Sequence, residues 1–532
     1  MLALATSSVA EAAEARPGDE AKRKAAPGKG ASAKATSAAA EQQRRQRARR
    51  SRASRRRAPA APVLPALRWT TPGSAVALAG DLGYMLDARV RRGQWGAIVV
   101  SLTRGDTLYS RNADAAMQPA STMKLMTAAV ALDRFGPDYQ FSTDVLRDGT
   151  VGADGTLTGN LVLRGDGDPS FSNRWLRGDA NAPVTELARQ VAASGIRRVT
   201  GDIVGDASGF EAKTVPDGWQ KRYLQAGYAA RVSALSINEN LVWVSAYPGT
   251  GKGQARVVLE PASTVIPLQA NVRTVPGSRG GKIRVTRRAD GTVVASGWIG
   301  SKSVPRKYSF VIEDPATFTA GAFRAALQAE GVVVDGGVRL AATPTGAEKV
   351  ASFRSQPLAR LVSVMNRESI NHFAELIFRN AVRGPARDRV GDAVSGDAML
   401  QELLTKRAGV TPGAVRAADG SGLSVLDRIT PRAMIQLLAY AHEAPWGPAF
   451  HASLPVAGES ELLRHRMRFT PAQGNLHAKT GTTNEVVGLA GYVTAENGEV
   501  LAFCLIHNGA DRWNARATID AMGVTMAGFA RQ

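Results

Sequence analysis

The chain holds one cysteine, Cys504, among its 532 residues, so no disulfide can form within it and no cysteine-built metal centre is available. Cys504 lies in the apolar run Leu501–Ile506 and reads as a small buried hydrophobe. No apolar stretch is long enough to span a bilayer. Gly249-Thr-Gly-Lys252 lacks what a phosphate loop needs, because Ala246 stands at the first glycine position and Gly253 replaces the Ser or Thr after the lysine. Gly165-Asp-Gly-Asp-Pro169 lacks the later glutamate of a calcium loop, and Asp166 and Asp168 are read as part of a plain turn. The reading therefore calls for no metal and no cofactor.

Large apolar residues are scarce from Met1 to about Ala66, a stretch of Ala, Ser and Arg with runs such as Arg55-Arg56-Arg57. Such a composition cannot bury enough surface to offset the entropy of ordering, so residues 1–66 are expected to be a disordered basic tail. The tail carries roughly +10 of the formal net charge of +21. Contact with an anionic envelope polymer or membrane surface is its functional reading, and a solvated spacer is the bland one. No aromatic residue precedes Trp69, so there is no platform for stacking bases and nucleic acid is disfavoured as a partner. The first fifteen residues resemble the end of a secretory signal with a small-x-small cleavage site, without a basic start. Export is the matching expectation, and a chain almost free of cysteine is compatible with it.

Past the tail, Trp95–Leu102 and Thr107–Ser110 read as a hairpin turning at Arg104-Gly105-Asp106. Pro119–Leu132 reads as a helix, with Pro at its start and Gly136 at its stop, apolar nearly all round and hence buried. From about Phe141 to Thr343 short β-type runs recur between Gly, Asp and Pro, for example Gly159–Leu163, Arg256–Leu259 and Lys282–Val285. Helical periodicity returns over Pro357–Met365, His372–Phe378 and Pro431–Tyr440. Near the end, Asn475–Thr480, Val486–Val493 and Val500–Ile506 read as strands, the last two joined by the hairpin turn Glu496-Asn497-Gly498.

Three elements stand in order along this chain: Ser121-Thr-Met-Lys124, Ser369-Ile-Asn371 and Lys479-Thr-Gly481. One turn of helix brings Ser121 and Lys124 to the same face, where a lysine with a depressed pKa can take the hydroxyl proton. The trio is that of penicillin-binding proteins and class A β-lactamases, and the gap of about 250 residues between its first two elements separates the chain from the latter. Further stretches, Gly165–Ser170, Ala230–Asn240, Asp419–Ser424 with Arg428 and Thr430-Pro431, Leu454–Gly458 and Ala490–Val493, extend the likeness over about Trp69 to Ala530. The sequence resembles the class C low-molecular-mass penicillin-binding proteins, D-alanyl-D-alanine carboxypeptidase/endopeptidases with domains inserted between the first and second motifs. It departs from them at Ile370, where a polar residue is common, and in the arginine-rich tail.

The resemblance implies an α+β fold: a serine β-lactamase-like transpeptidase domain, its central antiparallel sheet covered by helices on both faces, interrupted by β-rich insertions. The expected division is 67–141 and 346–532 for the catalytic domain and 142–345 for the insertions, with an inner domain at about 166–232. It further implies that Ser121 attacks the D-Ala-D-Ala carbonyl and that Lys124 is the proton acceptor, its pKa depressed with help from Lys479. Ser369 passes the proton to the leaving amine, and Asn371 holds Lys124 and the substrate peptide. Lys479, Thr480, Gly481 and Thr482 form the strand that receives the substrate, with the N–H groups of Ser121 and Thr482 as oxyanion hole. The implied partners are peptidoglycan stem peptides and β-lactams, and the implied location is periplasmic or otherwise extracytoplasmic. Two alternatives stay open, an inactive peptidoglycan-binding module and a β-lactamase. A Ser-His-Asp hydrolase using His372 or His477 is disfavoured by the missing Gly-x-Ser-x-Gly around Ser121.

Overall fold

A computed structural model describes residues 68–90, 92–176 and 178–532. The basic tail and the signal-like start lie outside the described residues. The chain begins and ends its described course in one five-stranded antiparallel sheet. Helix α1 (Ala75–Arg89) leads into β1 (Gln94–Ser101) and β2 (Thr107–Arg111), the expected hairpin. Helix α2 spans Met123–Phe135, α3 spans Leu358–Arg367, α4 spans Asn371–Arg383 and α5 spans Pro431–Glu443. Strands β3 (His477–Thr482), β4 (Val486–Thr494) and β5 (Val500–Asn508) precede the closing helix α6 (Arg512–Ala527). The sheet order is β3-β4-β5-β1-β2, with Ile98 opposite Cys504 where the two ends of the chain meet.

Strands buried on both faces read as continuous apolar runs rather than as an alternation, and here alternate residues serve two separate cores. Ala97, Val99, Phe503 and Leu505 pack with Leu82 and Leu86 of α1 and Ile519 and Met522 of α6. Ile98, Ala502, Cys504 and Ile506 join the core that contains Leu125, Met126 and Leu132 of α2. Every residue of α2 from Met123 to Leu132 is buried, as its all-round apolar sequence requires. Its start differs from the sequence reading. Ala120–Thr122 form a 3₁₀ turn with Ala120 at φ +46°, and regular helix begins only at Met123.

Between α2 and α3 the chain builds a seven-stranded sheet and two smaller ones. It enters the seven-stranded sheet along Ser142–Val151 and leaves along Glu348–Arg354, which pair antiparallel with Phe353 opposite Thr143. Entry and exit on adjacent strands let a long excursion leave the flanking elements undisturbed. The helices Ala182–Ala193 and Pro315–Ala329 pack on this sheet through Val184, Leu187, Phe318 and Phe323. The remaining sheets are drawn from 241–311, where Leu241–Tyr247 lies between Arg306–Val311 and Arg256–Glu260, and Val293–Gly300 lies between Gly281–Arg287 and Leu268–Val275. Residues 166–232 contribute a helix and two strands to the seven-stranded sheet and then run as loops and short 3₁₀ turns. Asp166 receives the guanidinium groups of Arg383 at 2.6 Å and Arg387 at 2.7 Å, so two cations of the protein itself fill that turn.

Candidate active site

The three motifs converge where the 3₁₀ turn before α2, the junction of α3 with α4, and the edge strand β3 meet. The turn and strand touch so closely that a Cβ at Gly481 would lie 2.6 Å from the Pro119 carbonyl oxygen, which makes a side chain at Gly481 incompatible with this packing. Lys124 points back along the turn: its Nζ lies 2.9 Å from Ser121 Oγ, 2.6 Å from Asn371 Oδ1 and 2.8 Å from the Ser421 carbonyl oxygen. All three are neutral acceptors. As an ammonium, Lys124 has one N–H for each; as a neutral amine it keeps two for Asn371 and Ser421 and turns its lone pair to the Ser121 hydroxyl.

Burial makes the neutral form accessible. Lys124 is wholly buried, and the loss of hydration brings its pKa down to about 7, against the opposing pull of Asp419, Glu375 and Asp427. Lys479 was expected to share in that depression. Burial is the largest cause of the low pKa of Lys124, and Lys479 is held well below the lysine range by burial first and the Lys124 charge second, so the two buried amines repel each other across the site. Lys479 Nζ donates to Ser369 Oγ at 2.9 Å and to the Thr480 carbonyl at 2.8 Å. Ser369 sits at φ +59°, a left-handed conformation that costs a non-glycine residue on the order of 1 kcal/mol or more and recurs at functional sites. That strain breaks the helix between α3 and α4 and turns the Ser369 hydroxyl to Lys479. Asn371 opens α4 and donates its amide to the Tyr228 carbonyl at 2.8 Å.

Strand β3 is at the sheet edge and pairs along its length with β4, Lys479 opposite Ala490 and Thr482 opposite Val487. Lys479, Thr480 and Gly481 are buried there and Thr482 is exposed. A narrow cleft beside the turn is lined by Gln118, Gln220, Tyr223, Leu423, Val425 and Glu485. His372 is buried, its pKa pushed down to about 3, with Nε2 3.0 Å from the Asn240 amide, and His477 stacks on His451 at 4.6 Å.

Sequence reasoning missed the buried acids behind Lys124. Glu375 follows Asn371 by one turn on the same face of α4 and pairs with buried Arg379 at 2.8 Å. Its carboxyl is raised to about 7 by burial and by the Asp419 charge. The helical spacing from Asn371 was the available signal. Asp419 was legible as part of the stretch Asp419–Ser424 but with no role attached to its carboxylate, and Trp219, which reaches it from the inserted segment, carried no signal in a linear reading.

The family model for D-Ala-D-Ala carboxypeptidase 3 (S13) matches residues 82–528. The D-alanyl-D-alanine carboxypeptidase of Actinomadura sp. (strain R39) is 33% identical over 502 residues, covering 89% of this chain and 90% of the relative. The D-alanyl-D-alanine carboxypeptidase DacB of Haemophilus influenzae is 26% identical, over 78% of this chain and 85% of the relative. The fold is that of penicillin binding protein 4 from Haemophilus influenzae, whose crystal structure aligns at a TM-score of 0.69 with 24% identity over 83% of this chain and 97% of that one. The family match runs from within α1 to the end of α6 and so takes in the whole five-stranded sheet, the inserted sheets and all three motifs. This chain belongs to the D-Ala-D-Ala carboxypeptidase 3 (S13) family.

Proposed function

We propose that this enzyme, a serine carboxypeptidase by family, cleaves the D-Ala-D-Ala bond of peptidoglycan stem peptides through an acyl-enzyme on Ser121 and is acylated at the same atom by β-lactams. The observation that carries the reading is the 2.9 Å contact of Ser121 Oγ with a buried lysine whose other partners are neutral. Neutral Lys124 takes the Ser121 proton as Oγ attacks the carbonyl carbon. The N–H groups of Ser121 and Thr482 receive the developing oxyanion, a contribution typically worth a hundredfold or more in rate. Ser369, hydrogen-bonded to Lys479, passes the proton that Lys124 took on to the leaving D-alanine amine, so that Lys124 is neutral again and Ser369 keeps its hydroxyl; water then attacks the ester with Lys124 as base, and the proton returns to Ser121 Oγ as the ester bond breaks. An extended peptide adds to the free edge of β3, with its terminal carboxylate toward Lys479 and Thr482.

Residues 142–345 form the insertion in this reading, and its loop 207–240 walls the cleft. The substrate places the enzyme outside the cytoplasm, and the basic tail serves as a contact to an anionic envelope polymer or membrane surface. No helix among the described residues is long and apolar enough to cross a membrane.

Labelling the purified chain with a fluorescent penicillin tests the nucleophile. Wild type is expected to label stoichiometrically and durably, and Ser121→Ala not at all. Labelling that survives the substitution would overturn the assignment. An unlabelled wild type would favour a binding module, and rapid loss of label a β-lactamase.

A further inference from the structure

The turn 419–424 lies against Lys124 and against Ala120, the residue before Ser121. Its Ser421 carbonyl accepts from Lys124 at 2.8 Å, and its Gly420 carbonyl from Thr127 Oγ1 of α2 at 2.6 Å. Gly422, at φ +81°, lies so close to the residue before the nucleophile that a Cβ would come within 1.8 Å of the Ala120 oxygen.

Asp419 organises this turn from inside. Fully buried, it accepts at Oδ1 from the N–H groups of Ser421 at 2.9 Å and Gly422 at 2.6 Å. At Oδ2 it accepts from the Ser424 N–H and from the Trp219 indole N–H, each at 2.7 Å. Trp219 comes from the inserted segment, and its neighbours fasten the same two chains together: Ser424 Oγ donates to the Asp217 carbonyl at 2.7 Å, and the Val425 N–H to the Gly218 carbonyl at 3.2 Å. Farther along that loop the Tyr228 carbonyl holds the Asn371 amide at 2.8 Å. Both acceptors that orient Lys124, apart from the nucleophile, are thus set by contacts that involve one loop of the insertion.

We propose that Asp419 and Trp219 are positioning residues for proton transfer: with the Tyr228 carbonyl they fix the Ser421 and Asn371 oxygens that aim Lys124 Nζ at Ser121 Oγ. The inference rests on Lys124 acting as the base. Asp419 is also one of several charges around Lys124. Glu375 and its partner Arg379 approach from α4, Asp427 from beyond the turn, and Lys479 from β3. Of these, Asp419 is the acid that most favours the Lys124 ammonium.

Two variants separate position from charge. Trp219→Phe keeps the ring and every charge but removes one N–H; the acylation rate by fluorescent penicillin is expected to fall about tenfold with its pH limb in place. Asp419→Asn keeps an acceptor at Oδ1 but removes the anion, so the limb is expected to move to lower pH as Lys124 loses its strongest acidic neighbour. A turn that merely loosened would admit water to Lys124 and move the limb upward. Acylation of Trp219→Phe at the wild-type rate would overturn the proposal, as would an Asp419→Asn limb that stays or rises. Thermal melts identify a variant that has lost its fold, in which case the other variant decides. Failure of the nucleophile reading shows separately, as labelling of Ser121→Ala.

Discussion

The proposed mechanism concentrates the chemistry in one amine, Lys124, and its burial has consequences for both rate and stability. With a native pKa of about 7, the neutral base forms as pH rises through 7, so acylation is expected to level off above 7 and to fall about tenfold per unit below it. A stopped-flow pH profile with a chromogenic β-lactam reads this limb. Lys124→Arg, which stays charged, should lose about a hundredfold or more of the rate at every pH. The same shift acts on folding. Between about 7 and the ordinary lysine value of 10.5 the unfolded chain binds the proton that the native state has released, so this group's contribution to stability rises with pH across that window and is lowest below it. Chemical denaturation at pH 6 and 9 should show wild type gaining more stability with pH than Lys124→Met.

At the scale of elements, the site depends on two backbones approaching where side chains would collide. Gly481 lets β3 lie against the Pro119–Thr122 turn, and its Cβ would meet the Pro119 oxygen at 2.6 Å and Thr122 Cγ2 at 3.2 Å. Gly481→Ala is therefore expected to push the strand away from the nucleophile, lowering acylation about a hundredfold while costing only about 1–3 kcal/mol of stability. Penicillin-labelling rates and urea unfolding of the same preparation separate the two effects. The strands and helices of the catalytic region were largely legible in the sequence, because buried strands such as Val500–Asn508 are continuous apolar runs with turn residues between them. The 3₁₀ turn at Ala120–Thr122 was not, since its residues suit a helix equally well and only the docking of β3 and of Gly422 holds Ala120 at positive φ.

For the whole molecule, charge and topology point in different directions. The formal charge of +21 would suggest a polyanion-binding protein, yet roughly half of it lies in the first 66 residues, and the motifs belong to the remainder. The proposed tail contact predicts salt-sensitive binding of the full chain to anionic cell-wall polymer or acidic vesicles, lost in a chain starting near Pro65 with penicillin labelling unchanged. Co-sedimentation at low and high salt reads the first arm, and equal binding by both chains would overturn the contact.

The sequence by itself determined the proposed reacting groups and the helix, strand and glycine choices around them, because Ser-x-x-Lys, Ser-x-Asn and Lys-Thr-Gly are local patterns with local geometry. Tertiary structure alone decided that Lys124 is dry, that burial depresses its pKa, and that Trp219 reaches Asp419 across 200 positions of chain. Desolvation and long-range hydrogen bonds depend on what folds over a residue, and no spacing in a linear chain records that.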